Sequence, residues 1–133
     1  MPSTFKFNQE NLERLTIFAN KAELNDKAIM EFRDSSWWSK ASLKELEKNK
    51  ISICSVDAPL LPKKILNLNN IIYLRLHGSK SWYNYIYSEK ELKRIIGKLQ
   101  KKRANKKAVY LNNDHGMLLN GKYLMDHLFS TYK

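Results

Sequence analysis

The chain has very little cysteine and lacks the short motifs of several enzyme classes. Its one cysteine, Cys54, excludes an internal disulfide and a cysteine-based zinc site, and the apolar run around it favours a buried, unreactive thiol. There is no HExxH motif and no glycine-rich phosphate-binding loop. The sequence therefore predicts no metal site and identifies no cofactor.

Long hydrophobic runs are also missing. None approaches the roughly 20 apolar residues that a membrane-spanning helix needs, and the N-terminal residues MPSTFKF contain no signal-peptide core. We therefore expect a cytoplasmic protein with no membrane partner. The composition, 43% hydrophobic and 28% charged over 133 residues, is typical of one folded domain spanning residues 1–133.

Negative charge is scarce relative to positive charge. The 24 lysines and arginines outnumber 13 aspartates and glutamates, which gives a formal net charge of +11. A surface of this kind attracts polyanions through phosphate contacts and counterion release. No RNA- or DNA-reading motif accompanies the charge, so solvated surface lysines are favoured over dedicated nucleic-acid binding.

Four strand-like runs alternate with helical segments along the chain. In IIYLRLH, apolar Ile72, Leu74 and Leu76 alternate with aromatic and charged residues, which is the period-two pattern of a strand with two different faces. The other strand-like runs span residues 28–33, 51–57 and 108–113. Alternation of this kind with short connections predicts parallel βαβ units and an α/β fold.

The helices are indicated by capping residues and apolar spacing. Asn8 precedes a helix to about residue 20, in which Leu12, Leu15 and Phe18 recur at helical spacing. Two further helices are predicted at capping boxes, where a serine is followed three residues later by a glutamate: Ser42 with Glu45, and Ser88 with Glu91. A last helix is predicted from about Asn120.

The strands repeatedly place apolar residues on one face and polar residues on the other. A doubly wound sheet is covered by helices on both faces and should be apolar on both. A (β/α) barrel tolerates polar residues near the C-terminal ends of its strands, where such barrels place their sites. Four strands are too few to close a barrel, so we predict four parallel strands alternating with helices as half of a TIM-type (β/α) barrel.

The chain carries four motifs in order: EFRDSSWW, VDAP, YLRLHG with WYNYIYSEKEL, and VYLNNDHG with Asn120. In sequence and spacing they resemble the YecE-like family, domain of unknown function 72. The resemblance covers nearly the whole chain and implies an eight-stranded barrel of roughly twice this length, with this chain as its C-terminal half. The chain departs from the family pattern at Asp34 and Leu111, where His and Phe are usual.

The resemblance also implies site residues and partners. The polar inner face of a half-barrel is expected to be covered by a second copy in a homodimer or by a separately encoded N-terminal half. The positions that match the family's motifs, and are therefore expected in its site, are Glu31, Arg33, Asp57, Arg75, His77, Gly78, Tyr85, Asn112, Asn113 and Asn120.

Arg75 and His77 lie two residues apart on one strand face, so their side chains should reach the same cavity. An arginine there would bind a phosphate or carboxylate bidentately, and a histidine would transfer a proton near neutral pH. The alternative is that Arg75 is paired inside the sheet with Glu31 or Asp57, because buried charges need partners.

Glu31 and Asp57, near the ends of neighbouring strands, are predicted to act with His77 as catalytic groups. Two carboxylates there would divide acid and base roles, or, less favoured, bind a divalent cation with the histidine. The asparagines are equally typical of turns, and the aromatics either stack on a ligand or pack the loops. The predicted substrate-binding residues are Arg75, Arg33, Tyr85, Asn112, Asn113 and Asn120; the aromatics considered are Trp37, Trp38, Trp82, Tyr83 and Tyr85.

Three functions remain open from the sequence. The first is an enzyme-type site that binds an anionic or phosphate-bearing small molecule or nucleic-acid component. The second is a non-catalytic basic module in which the cations of residues 98–107 bind RNA or DNA. The third is a shortened descendant of the family without activity of its own.

Overall fold

Four strands alternate with four α-helices in the computed structural model, which describes residues 1–24 and 27–128. The strands are β1 (Ile29–Met30), β2 (Ser52–Asp57), β3 (Ile71–Leu76) and β4 (Lys106–Leu111). The α-helices are α1 (Gln9–Lys21), α2 (Lys40–Lys48), α3 (Glu89–Gln100) and α4 (Met117–Leu128), with 3₁₀ helices at Ser35–Trp38 and Asp114–Gly116. The strands are parallel, in the order β1-β2-β3-β4 of one open sheet. The predicted α/β class is confirmed, and this sheet is consistent with half of a (β/α) barrel.

The chain divides into two compact units. The first unit consists of Met1–Ser55, Leu66–Tyr73 and Ala104–Lys107. The second unit consists of Val56–Ile65, Leu74–Arg103 and Ala108–Lys133. That residues 1–133 form a single domain stays a prediction.

In the first unit, α1 begins where the sequence predicts. The Asn8 side chain accepts a hydrogen bond from the backbone N–H of Asn11 at 2.8 Å, and the helix buries Leu12 and Leu15. The prediction that Phe18 is buried is wrong, because its side chain is 54% exposed. Ala19, one residue further round the helix, is buried instead, since positions 12, 15 and 19 share one helical face.

Trp37 is the centre of the aromatic core of the first unit. Its fully buried ring stacks on Phe32, with ring centroids 4.1 Å apart, and on Phe5, with centroids 5.7 Å apart. The Phe7 ring meets it edge-on at 5.1 Å. The indole N–H donates to the Phe5 carbonyl oxygen at 2.7 Å, so the polar atom of this buried side chain is satisfied. Of the two roles considered for the aromatics, Trp37 has the packing role.

The N-cap of α2 is Ser39, so the predicted capping box of Ser42 and Glu45 is wrong. The Ser39 hydroxyl accepts from the backbone N–H of Ser42 at 3.1 Å. Ser42 is fully buried, and its hydroxyl donates to the carbonyl oxygen of Ser36 at 3.2 Å. The helix therefore begins earlier than predicted because an upstream serine takes the capping position.

The first strand is shorter, and the second strand more buried, than the sequence indicates. β1 is limited to Ile29–Met30, where the sequence predicts a strand over 28–33, and it pairs in parallel with β2 through Ile29 opposite Ser52. β2 is buried along its whole length. Its serines satisfy backbone groups of the chain that leads to β3: the Ser52 hydroxyl donates to the Leu68 carbonyl oxygen, and Ser55 accepts from the Leu66 N–H.

In the second unit, the predicted alternation of β3 is confirmed. Leu74 and Leu76 are buried while Arg75, between them, is half-buried. The predicted capping box of Ser88 and Glu91 opens α3, which packs against α4. The apolar stripe of α3 is buried as predicted and consists of Leu92, Ile95, Ile96 and Leu99.

The last strand and helix are displaced from their predicted limits. β4 spans Lys106–Leu111, so Asn112 and Asn113 follow the strand instead of ending it. α4 begins at Met117, before the predicted start at Asn120, and buries Asn120 and Leu124. The first turn of α4 gives no clear amphipathic spacing in the sequence because its apolar residues are exposed.

Candidate functional site

Backbone hydrogen bonds bring the C-terminal strand ends of the second unit together. The His77 N–H donates to the Asp57 carbonyl oxygen at 3.0 Å, and the Asn112 N–H donates to the Leu76 carbonyl oxygen at 2.9 Å. Side chains from the ends of β2, β3 and β4 therefore meet at one edge of the sheet, which is where parallel α/β folds place their sites.

His77 is completely buried and is held from one side by Asn112. The Nδ1 atom of His77 lies 3.2 Å from the amide nitrogen of Asn112. With the amide as donor, Nδ1 accepts, and the neutral imidazole carries its proton on Nε2. The rings of Trp82 and Tyr83 flank the imidazole, with centroids 5.3 Å and 5.5 Å away. The histidine thus has a defined orientation within an aromatic enclosure.

The Asp57 carboxylate is engaged by two neighbours that sequence reasoning missed. The Ser79 hydroxyl lies 2.8 Å from both carboxylate oxygens, and Nζ of Lys63 lies 3.9 Å from one of them. Nζ of Lys63 also donates to the Ser79 carbonyl oxygen at 2.6 Å. Ser79 could have been predicted from the sequence, because it continues the period-two spacing of Arg75 and His77. Lys63 lies in the irregular connection between β2 and β3, where no sequence pattern predicts its contact with Asp57.

Gly78 lets the chain leave β3 and turn sharply into the aromatic loop of residues 79–87. Its φ of +122° lies in a region that L side chains rarely adopt, and a Cβ there would overlap the Ser81 carbonyl oxygen and the Tyr85 side chain. Its N–H donates to the Tyr87 hydroxyl at 2.8 Å. Only glycine fits this position without strain, so Gly78 shapes the loop and has no side chain to offer a ligand.

Tyr85 and Tyr87 hold the loop against α3 and the end of β3. The Tyr85 hydroxyl donates to the Glu91 carboxylate at 2.6 Å. Burial, together with this hydrogen bond, raises the pKa of Tyr85 to about 12. Burial also raises the pKa of Tyr87, with the negative charge of Asp57 adding to the effect. Both phenols are therefore neutral and engaged within the protein over the physiological pH range.

Asn113 and Asn120 are buried and also hold the loop. The Asn120 side chain accepts from the Tyr87 N–H at 3.0 Å and donates to the Tyr87 carbonyl oxygen at 2.8 Å. The Asn113 amide donates to the Tyr85 carbonyl oxygen at 2.7 Å and to Asn120 at 2.9 Å. These contacts place both asparagines behind the loop, where they orient it.

The remaining predicted site residues are divided between the two units. Glu31 and Arg33 belong to the first unit, where their side chains approach within 3.6 Å of each other. Arg75 belongs to the second unit and lies on the face of β3 opposite to Leu74 and Leu76. The cluster around His77 therefore unites Asp57, Asn112 and the loop, while the roles of Glu31, Arg33 and Arg75 stay predictions.

The described part of the chain contains neither a metal-binding cluster nor a membrane-spanning helix. Within residues 1–24 and 27–128, no group of three or more histidine, cysteine, aspartate or glutamate side chains is placed to hold a metal ion. No helix in those same residues has the length and apolar character required to cross a bilayer.

The open parallel sheet and its helices place the chain in the class of α/β proteins, and the sheet is consistent with half of a (β/α) barrel. The chain belongs to the family described as "Protein of unknown function DUF72", whose model matches residues 1–128. The predicted resemblance to the YecE-like family is thereby confirmed. No curated protein matches the chain.

Among solved structures, the chain is similar to a DUF72 family protein from Thermotoga maritima. The two share 26% sequence identity, and the TM-score is 0.85. The match covers 96% of this chain but only 55% of the Thermotoga chain, so this sequence spans about half the length of that relative. The likeness therefore supports the fold over nearly all of the sequence.

Proposed function

We propose that the C-terminal strand ends of the second unit form an enzyme-type site for an anionic small molecule. The observation that carries this proposal is the oriented, fully buried His77, held by Asn112 and enclosed by two aromatic rings. A histidine whose tautomer is set by a neighbouring amide is suited to transfer a proton in one direction. Burial under aromatic rings keeps competing water away from it.

Each residue has a chemical role in this proposal. Arg75 binds the anion, since its guanidinium offers paired donors to a phosphate or carboxylate. Asn112 orients the ligand and the imidazole, and His77 transfers the proton. Asp57, fixed by Ser79 and Lys63, acts as the base or stabilises charge. Tyr85, Asn113 and Asn120 position the loop that encloses the site.

Isothermal titration of the chain with inorganic phosphate, pyrophosphate and short oligonucleotides tests the anion-binding step. Arg75→Ala should weaken binding by about tenfold or more, because a charge-assisted bidentate contact is lost. The matched control is Arg14→Ala, which removes the same charge from an exposed position on α1. Equal binding by Arg75→Ala and the unaltered protein contradicts the assignment.

A second candidate is a basic module that binds nucleic acid without catalysis. It is favoured by the exposed cations at the end of α3 and just beyond it, namely Lys98, Lys101, Lys102 and Arg103. Oligonucleotide binding that is unchanged in Arg75→Ala but lost in a variant of these cations supports this candidate. A chain that binds in neither way supports the third possibility, a family member without activity of its own.

A further inference from the structure

A second concave feature of the second unit lies on the other side of β3. Its floor is apolar and includes Leu74, Leu76 and Ile95, the last of which comes from α3. Side chains alternate along a strand, so Leu74 and Leu76 point to the face opposite to Arg75. This cleft therefore opens on the face of β3 opposite to Arg75, although it shares Asp57 and Lys63 with the site around His77. Phosphate binding in the cleft does not depend on the function proposed above.

Four cations surround this cleft: Lys63 and Lys64 from the connection between β2 and β3, and Arg94 and Lys98 from α3. Arg94 and Lys98 are four residues apart and lie on the same face of the helix. Positively charged side chains from two separate parts of the sequence thus lie around one small cleft.

The protein itself does little to neutralise these charges. Asp57 is the only carboxylate among the lining residues, and Ser79 and Lys63 already engage it. Within the described residues, the side chains of Lys64, Arg94 and Lys98 form no hydrogen bond or ion pair with another side chain. Like charges gathered over an apolar floor repel one another more strongly than on an open surface. An anion from solution would relieve that repulsion.

The size of the cleft limits which anion fits. Its cavity volume is about 30 Å³, which is room for one or two waters or for one or two anionic oxygens of a ligand. An aromatic ring or a sugar does not fit inside it. The ligand must therefore insert a compact anionic head and leave the rest of the molecule outside.

We infer that this cleft binds the phosphoryl group of a small phosphorylated molecule, with Arg94 and Lys98 from α3 and Lys63 and Lys64 from the β2–β3 connection as its ligands. The test is a titration of the whole chain with inorganic phosphate, followed by amide chemical shifts in two-dimensional NMR. Saturable shifts should centre on residues 63–65, 74–76 and 94–98.

The decisive variant is Arg94→Gln combined with Lys98→Gln, in which two exposed cations are replaced without disturbing the buried face of α3. Phosphate affinity should fall by about tenfold or more. The matched control is Lys90→Gln with Lys93→Gln, which removes two charges from the same helix at positions that do not line the cleft. This control should change the affinity by less than about twofold, because screening by salt weakens distant charges.

Several results overturn the inference. Equal weakening by both double variants means that only diffuse positive charge attracts phosphate. Chemical-shift changes that centre on His77 and vanish in Arg75→Ala would mean that phosphate binds at the proposed site around His77. The absence of saturable chemical-shift changes at millimolar phosphate would mean that the cleft does not bind phosphate. If an oligonucleotide binds far more tightly than phosphate, and the double variant Arg94→Gln with Lys98→Gln abolishes that tight binding, the cleft binds nucleic acid and not a small phosphorylated molecule.

Discussion

The buried Asn120 side chain makes the kind of hydrogen bonds to the backbone that a neighbouring strand usually makes. It is 4% exposed and pairs with both the N–H and the carbonyl oxygen of Tyr87, as a neighbouring strand would. Asn113 donates to the same Asn120 oxygen. The resemblance to the family predicts that both residues belong to a site. Their contacts show that they hold the loop of residues 79–87.

We predict that Asn120→Ala lowers the free energy of unfolding by about 2–4 kcal/mol, because it leaves two buried backbone groups of Tyr87 without partners. Urea denaturation followed by circular dichroism would measure this. Asn105→Ala, a change of the same kind at an exposed position, should have an effect within about 0.5 kcal/mol. A loss below about 1 kcal/mol for Asn120→Ala would show that water replaces the amide.

The phenols of Tyr85 and Tyr87 give a prediction for high pH. In the folded chain the pKa of Tyr85 is raised from 10.0 to about 12, and that of Tyr87 is raised too. Because the folded pKa exceeds the unfolded one, the stability contributed by the neutral phenols is fully present below pH 10 and is lost as the pH rises through 12. Stability should therefore fall steeply over that window.

Ultraviolet titration of tyrosinate provides the measurement, since it reports each phenol as it ionises. The wild-type chain should show a fraction of its tyrosines ionising late, and Tyr85→Phe should reduce that fraction. Tyr110→Phe, at a half-exposed position, is the control and should leave the late fraction intact. If all tyrosines ionise together near pH 10 while the chain is still folded, burial does not protect them.

At the scale of elements, α3 agrees with its local sequence from end to end. Ser88 and Glu91 form the predicted reciprocal cap, with the Ser88 N–H donating to Glu91 at 2.9 Å. Partial burial tends to raise the pKa of Glu91, but the hydrogen bonds from Tyr85 and Ser88 outweigh it and hold this pKa below its usual range. The cap therefore stays intact as the pH falls until Glu91 is protonated.

We predict that Ser88→Ala destabilises the protein by about 1 kcal/mol, the usual cost of losing an N-cap. Thermal unfolding compared with Ser3→Ala, an exposed serine outside any helix, would isolate the effect of the cap. No difference between the two variants would mean that Glu91 or water satisfies the helix end unaided.

The opposite case is α2, where the local sequence offered several serines for one capping position. Ser42 and Glu45 have the spacing of a capping box, yet Ser39 caps the helix. Burial determines which serine caps the helix. Ser42 is buried and donates to the carbonyl oxygen of Ser36, so it lies inside the helix. Patterns within a few residues do not contain this information.

The aromatic core of the first unit gives a second prediction for an element. Trp37→Ala should cost about 3–5 kcal/mol, because it removes a fully buried ring between Phe5 and Phe32. Phe18→Ala is the contrasting change, since its ring is half-exposed, and it should cost less than about 1 kcal/mol. Denaturant unfolding of both variants would measure the difference, and similar losses would show that Phe18 is buried after all.

At the scale of the whole molecule, the charge of +11 affects every binding measurement. We predict that oligonucleotide binding by the unaltered chain weakens by at least about tenfold between roughly 0.05 and 0.3 M salt, because it depends on released counterions. Fluorescence anisotropy across that range would measure the slope. Binding that survives the higher salt would point to specific contacts and strengthen the nucleic-acid candidate.

The expected partner also belongs to this scale. A homodimer or a separately encoded N-terminal half stays a prediction of the family resemblance, and sedimentation velocity of the isolated chain tests the first of these. A stable, well-folded monomer at all concentrations would count against the homodimer.

Local periodicity, local caps and motifs in order were enough to predict the α/β class, the family, the two faces of β3 and the whole of α3. The folded chain was needed to show that Ser39 caps α2, that Trp37 is core, and that Ser79 and Lys63 hold Asp57. It alone gathered Lys63, Lys64, Arg94 and Lys98 round one cleft. These contacts join residues far apart in the chain, and their energies depend on burial, which no short stretch of sequence specifies.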